Sequence, residues 1–66
     1  MKELKNRLRV LRAEKDISQE TLANAIGVSR QTILAIEGGD YAPSVTLALK
    51  LAKYFGISLE KVFWLE

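Results

Sequence analysis

The stretch Ser18-Gln19-Glu20-Thr21-Leu22-Ala23-Asn24-Ala25-Ile26-Gly27-Val28-Ser29-Arg30-Gln31-Thr32-Ile33-Leu34-Ala35-Ile36-Glu37-Gly38 decides the architecture of this chain. Ser18 and Ser29 are good N-cap residues, each standing just before a helical pattern. Leu22, Ala23 and Ile26 mark the inner face of one helix, Gln19 to Ile26; Ile33 and Ile36 mark that of a second, Arg30 to Glu37. The turn between them needs a residue at positive φ, which Gly27 supplies without steric cost. Ala23 is slim enough for the helices to approach closely, and the stiff β-branched Ile33 is a wedge pointing back into the corner. Two short helices with this turn and spacing fit a helix-turn-helix geometry, and also an ordinary helical corner with a glycine cap.

Working outward, Leu4, Leu8 and Leu11 recur at helical spacing, predicting an amphipathic helix over about 3–14. Gly38-Gly39-Asp40 breaks the chain, and Pro43-Ser44 introduces a helix over about 45–55, apolar almost all round and hence central. Gly56 ends it, and Ser58 caps a last helix from Leu59 to about Phe63. No segment alternates, so strands are not expected. The fold expected is all-α, a compact five-helix bundle forming a single domain over 1–66, with the helix-turn-helix unit at 19–38 and a dimer contact near 54–66.

The 66 residues contain no cysteine and no histidine. That excludes a disulfide staple, thiolate or imidazole metal ligands, and histidine-based acid–base or nucleophilic catalysis. The carboxylates are scattered, and no glycine-rich phosphate loop is present. The expectation is a protein that is not an enzyme, with no cofactor, no metal, no membrane segment and no small-molecule ligand. Without a long apolar run or a signal peptide, a cytoplasmic location is expected. Hydrophobic burial in so small a chain, roughly 100 kcal/mol, offsets an ordering cost of roughly the same size. Well-capped helices and a second copy of the chain are the supports that remain.

The net charge of +2 is unevenly placed: residues 1–33 carry seven Lys/Arg against four Asp/Glu, and residues 34–66 carry three against four. A basic N-terminal half suits a polyanion, although an ordinary solvated surface has the same look. The outer face of the second helix is more specific. With Ile33 and Ile36 inward, Arg30, Gln31, Leu34 and Ala35 turn outward. Arg and Gln near the start of an exposed helix are the side chains that read guanine and adenine edges, and Leu34 and Ala35 suit thymine methyls. On another helix Arg30 and Gln31 would be ordinary solvated residues. Gln19, Ser29 and Thr32 carry donors for phosphate, Gly39 allows close backbone approach, and Tyr41 adds a hydroxyl. Plainer roles are also open: Ser29 as a cap, Gly39 as a helix terminator, Tyr41 packed on Pro43.

Ser18-Gln19-Glu20-Thr21-Leu22-Ala23, Ile26-Gly27-Val28-Ser29-Arg30-Gln31-Thr32-Ile33, Ile36-Glu37-Gly38-Gly39-Asp40-Tyr41 and Pro43-Ser44 together resemble the Cro/repressor-type (XRE-type) helix-turn-helix family. The resemblance covers nearly the whole chain and is similar in extent to the minimal single-domain regulators. It implies a cytoplasmic transcriptional regulator, usually a repressor, binding an inverted-repeat double-stranded DNA operator as a homodimer. By position it implies that Gln19, Arg30, Gln31, Leu34 and Ala35 meet bases or the groove wall, and that Ser29, Thr32, Gly39 and Tyr41 meet the backbone. It also implies a pairing of Arg12 with Glu37, which the sequence alone reads as isolated surface charges. Ala35, often polar in that family, and Asp40, where a basic or amide residue is common, imply fewer direct contacts.

The end of the chain, Val62-Phe63-Trp64-Leu65-Glu66, is unusually apolar for a terminus. Either it folds back on the first helix, or some of Leu59, Val62, Phe63, Trp64 and Leu65, joined by Tyr54 and Ile57, form a two-fold interface. A protein-interaction module of the same fold, an antitoxin or bridging factor, is the alternative function. A single-stranded nucleic-acid binder is disfavoured, since no aromatic platform alternates with the basic residues.

Overall fold

The computed structural model describes residues 3–66. The order of elements is β1 (Leu4–Asn6), α1 (Leu8–Lys15), α2 (Gln19–Ile26), α3 (Arg30–Glu37), α4 (Val45–Phe55), α5 (Leu59–Val62) and β2 (Phe63–Leu65). The molecule is mostly helical, and β1 and β2 form a small antiparallel sheet that joins the two ends of the chain.

Local chemistry explains most of the helix boundaries. Ser18, Ser29 and Ser44 each accept a hydrogen bond from the backbone N–H three residues on, at 3.0, 3.2 and 3.1 Å. Each thereby satisfies one of the donors a helix start leaves free. Gly27, at φ 87°, turns the chain out of α2. Ser58 precedes α5 without a side-chain cap bond.

The sheet corrects the all-α expectation. Residues 4–6 are a strand rather than the first turn of a helix over 3–14, and the last helix stops at Val62, with Phe63 already extended. Register pairs Leu4 with Leu65, Lys5 with Trp64 and Asn6 with Phe63. Reciprocal backbone hydrogen bonds between Glu3 and Glu66, at 2.8 and 2.9 Å, extend the pairing by one step. Three residues are too few to display a period of two, and their partner lies almost sixty positions away. Leu8 and Leu11 carry the helical ridge, while Leu4, placed on it by spacing alone, pairs across the sheet.

The core is wholly apolar: Leu8 and Leu11 of α1, Leu22, Ala23 and Ile26 of α2, Ile33 and Ile36 of α3, Leu47, Ala48, Leu51 and Ala52 of α4, and Val62 and Phe63. Val62 and Phe63, two of the residues expected at a dimer contact, therefore complete the core of this chain and leave almost no surface for a second copy to touch. Leu65 stays 64% exposed, and Trp64, Tyr54, Ile57 and Leu59 are half-buried. Arg7 lies over the Trp64 ring, 5.3 Å from its centre, which ties the tail to the start of the chain.

Candidate nucleic-acid interface

The site is built around α3. Its inner face is buried through Ile33 and Ile36, so rotation about its axis is set by the core. The outer face presents Arg30 and Gln31 exposed, Leu34 47% exposed, and Thr32 and Ala35 half-buried. Ser29, Gln31, Thr32, Leu34, Ala35, Asp40 and Tyr41 line an open depression of about 530 Å³. Six of the nine residues singled out for nucleic acid thus share one surface, and Arg30 stands at the start of the same helix. Gly39, at φ 81°, instead borders a neighbouring groove between the end of α3 and the sheet.

At the N-terminus of α3, Ser29 Oγ caps the Thr32 N–H and lies 3.0 Å from Thr32 Oγ1. The two hydroxyls satisfy one another while remaining at the surface, so a cap role and a phosphate-donor role are compatible at Ser29. Asp40 is the carboxylate in the depression; α3's own acid, Glu37, is turned away from it.

Glu37 forms the anchor behind the site. Its side chain is 1% exposed. Arg12 Nε and Nη2 both donate to its carboxylate, the latter at 3.1 Å, and Arg12 Nη1 donates to the Ile17 carbonyl at 3.0 Å. Gln19 Nε2 donates to Glu37 Oε1 at 3.1 Å, and Arg9 Nε lies 3.9 Å from the same oxygen. Burial by itself would raise the Glu37 pKa. The hydrogen bonds from Arg12 and Gln19, with the charges of Arg12 and Arg9, outweigh it and hold the carboxyl below its ordinary value. The hydrogen bond to Glu37 in turn raises the Arg12 pKa.

The Arg12–Glu37 pair that the family resemblance implies is present, and it replaces the reading of the two as isolated surface charges: Glu37 lies at the end of α3 where α1 and α2 close over it. It also locates Gln19, expected at the groove wall, with its amide engaged by Glu37. Asn6 is the residue that sequence reasoning missed. Its Oδ1 accepts the Leu8 N–H at 3.0 Å, and its Nδ2 donates to the Ile36 carbonyl at 2.9 Å. An Asn two positions before the Leu8/Leu11 ridge is a helix-start signal; the apparent register of Leu4 concealed it.

The site is thus a capped two-helix corner over an apolar core, with the outer face of the second helix bare. The Helix-turn-helix family model matches residues 8–62. The chain belongs to the helix-turn-helix family. An uncharacterized HTH-type transcriptional regulator of Bacillus subtilis, YgzD, is 54% identical over 63 residues, covering 96% of each chain. A transcriptional repressor of the cryptic phage CTXphi in Vibrio cholerae, RstR, is 40% identical over 57 residues, covering 86% of this chain and 51% of the repressor. Among solved structures, the restriction-modification controller protein C.AhdI of Aeromonas hydrophila superposes with a TM-score of 0.74 at 39% identity, covering 82% of this chain and 78% of that one. The helix-turn-helix family is one of DNA-binding transcriptional regulators, not of enzymes. Among the described residues no helix is long and apolar enough to cross a membrane.

Proposed function

We propose that this helix-turn-helix chain is a cytoplasmic, sequence-specific repressor that binds an inverted-repeat operator as a homodimer, with α3 in the major groove. The exposed face of α3 carries the reading: Arg30, Gln31, Thr32, Leu34 and Ala35 stand outward together on a helix whose own acid is turned inward. Arg30 and Gln31 suit guanine and adenine edges, while Leu34 and Ala35 suit thymine methyls. Ser29, Thr32 and Tyr41 border the same surface and serve the phosphates, with Gly39 close by. The name of RstR supports repression, and blocking a promoter is the simplest way for a helix-turn-helix domain to repress.

The homodimer reading rests on apolar surface left near the C-terminus, where Leu65 is exposed beside half-buried Trp64, Tyr54, Ile57 and Leu59. A two-fold pairing there would present two copies of α3 about 34 Å apart, one helical turn of DNA.

Selection from random duplex DNA tests the reading. The expected result is an enriched inverted repeat with half-sites about one turn apart. Arg30→Ala and Gln31→Ala are then expected to cost about 1–3 kcal/mol on the enriched site and to relax one base position per half-site. Equal losses on enriched and random DNA would reduce both residues to backbone contacts. Sedimentation as a monomer at high micromolar concentration would overturn the preformed dimer.

A further inference from the structure

The anchoring of α3 is lopsided. Its N-terminal end, with Ser29, Arg30 and Gln31, is exposed. Its C-terminal end is gripped from three elements: by Arg12 of α1 and Gln19 of α2 through Glu37, and by Asn6 of β1 through the Ile36 carbonyl. The Ile36 carbonyl belongs to the last turn, where carbonyls have no partner within the helix. It accepts from Gly39 N–H at 3.1 Å as well as from the Asn6 amide. The other end of the Asn6 side chain accepts from the first turn of α1, and its backbone lies opposite Phe63 in the sheet. One half-buried carboxamide therefore joins the root of α3, the start of α1 and the strand pair that holds the C-terminal tail.

We propose that Asn6 is a positioning residue for DNA discrimination: its bond to the Ile36 carbonyl sets the tilt of α3 relative to the sheet and tail. The inference rests on the reading of α3 as the groove-binding helix. An eight-residue helix is about 12 Å long, so a tilt of about 10° at the root moves its tip by about 2 Å. Productive base contacts tolerate about 0.5 Å. Phosphate contacts made by flexible cations tolerate far more, because they act through charge. Loss of the Asn6 bond should therefore erode the preference for the enriched site over random duplex, leaving general DNA affinity largely in place. The Glu37 cluster holds the same end of α3, but its hydrogen bonds run to Arg12, Gln19 and, through Arg12, the Ile17 carbonyl, so among the described residues the polar link from α3 to the strand pair is made by Asn6.

Two variants separate the roles. Asn6→Thr keeps a hydroxyl to accept the Leu8 N–H, but is too short for the Ile36 carbonyl. Asn6→Asp keeps the acceptor for the Leu8 N–H and turns a carboxylate oxygen, in place of the donor, toward the Ile36 carbonyl. The readout is the dissociation constant on random duplex divided by that on the enriched site, at matched salt, with folding checked by circular dichroism. The ratio cancels the charge that Asp adds, since that charge weakens binding to both DNAs. Both variants are expected to lower the ratio by about five- to thirtyfold, equivalent to one or two kcal/mol. Random-duplex affinity of Asn6→Thr should stay within about twofold of the parent. An unchanged ratio in folded Asn6→Asp would overturn the proposal and leave Asn6 a purely structural cap. Failure of the parent chain to enrich any sequence would instead overturn the DNA-reading function, and this inference with it.

Discussion

Glu37 shows how one residue can serve the proposed DNA face without belonging to it. A carboxylate on the outer side of α3 would repel phosphate; turned inward, it must be neutralised, and Arg12 does so through two hydrogen bonds. Removing one partner of a buried pair strands the other, which costs about 3–5 kcal/mol. Glu37→Gln removes the charge but keeps an acceptor for the partly exposed Arg12, so it is expected to destabilise the fold by about 1–3 kcal/mol, measured by urea denaturation, whereas Arg12→Met with Glu37→Leu should recover a large part of it. The pH dependence follows from the lowered pKa. Because the folded chain holds this proton less tightly than the unfolded chain, the pair's stabilisation is fully present above the ordinary carboxylate value of about 4.3. It is lost as pH falls through the lower, folded-state value. Parent stability should therefore fall on acidification below about pH 4.3 more steeply than that of Glu37→Gln. Parallel curves would remove Glu37 from the account.

At the scale of elements, the two short helices of the corner depend on their ends. Eight residues are too few to hold a helix by propensity alone, so caps and the buried face supply the difference. Ser29→Ala should cost about 1 kcal/mol of stability, since Thr32 N–H then loses its side-chain acceptor and keeps only the Ser29 carbonyl at 3.1 Å. It should also weaken DNA binding, because the same residue borders the proposed interface. Gly27 is the turn's other requirement. A Cβ there would meet nothing within 4 Å, so the penalty for replacing it is purely conformational. Gly27→Ala is expected to cost about 1–2 kcal/mol and Gly27→Asn distinctly less, because Asn tolerates the left-handed region. Thermal melts would check the order, and equal losses would point to a crowding that the backbone does not show. These features were legible because each signal sits within three or four residues of its effect: serine before the helix, glycine after it, isoleucines at helical spacing within it.

The whole molecule is closed by its two ends. β2 pairs with β1, and Val62 at the end of α5 and Phe63 at the start of β2 enter the core that also holds Leu8 and Leu11. Removing residues 62–66 deletes two core side chains, one of them a Phe whose loss alone typically costs about 3–5 kcal/mol, and strips β1 of its partner. A chain of this length has a total stability of about 3–10 kcal/mol, so the truncated protein should be largely unfolded at 25 °C. Leu65→Ser, at a side chain 64% exposed whose cross-strand neighbour is Leu4, should leave the monomer fold intact and weaken self-association. Circular dichroism on the first and sedimentation on both would check this. A folded truncation would mean that the tail is dispensable to the core; unchanged association of Leu65→Ser would move the dimer surface elsewhere.

The amino-acid sequence by itself determined α2, α3, α4, their caps, the inward-facing isoleucines and leucines, and the outward set Arg30, Gln31, Leu34 and Ala35. Each follows from local backbone chemistry or from a period that one short segment displays in full. Only the tertiary structure decided that residues 4–6 are a strand, that Val62 and Phe63 are core, that Glu37 is buried on Arg12 and Gln19, and that Asn6 bridges β1, α1 and α3. Every one of these depends on a partner between roughly twenty and sixty positions away in the chain. No local propensity encodes such a pairing. It exists because the apolar faces bury one another first, and the polar side chains left at the seams must then find partners or remain desolvated.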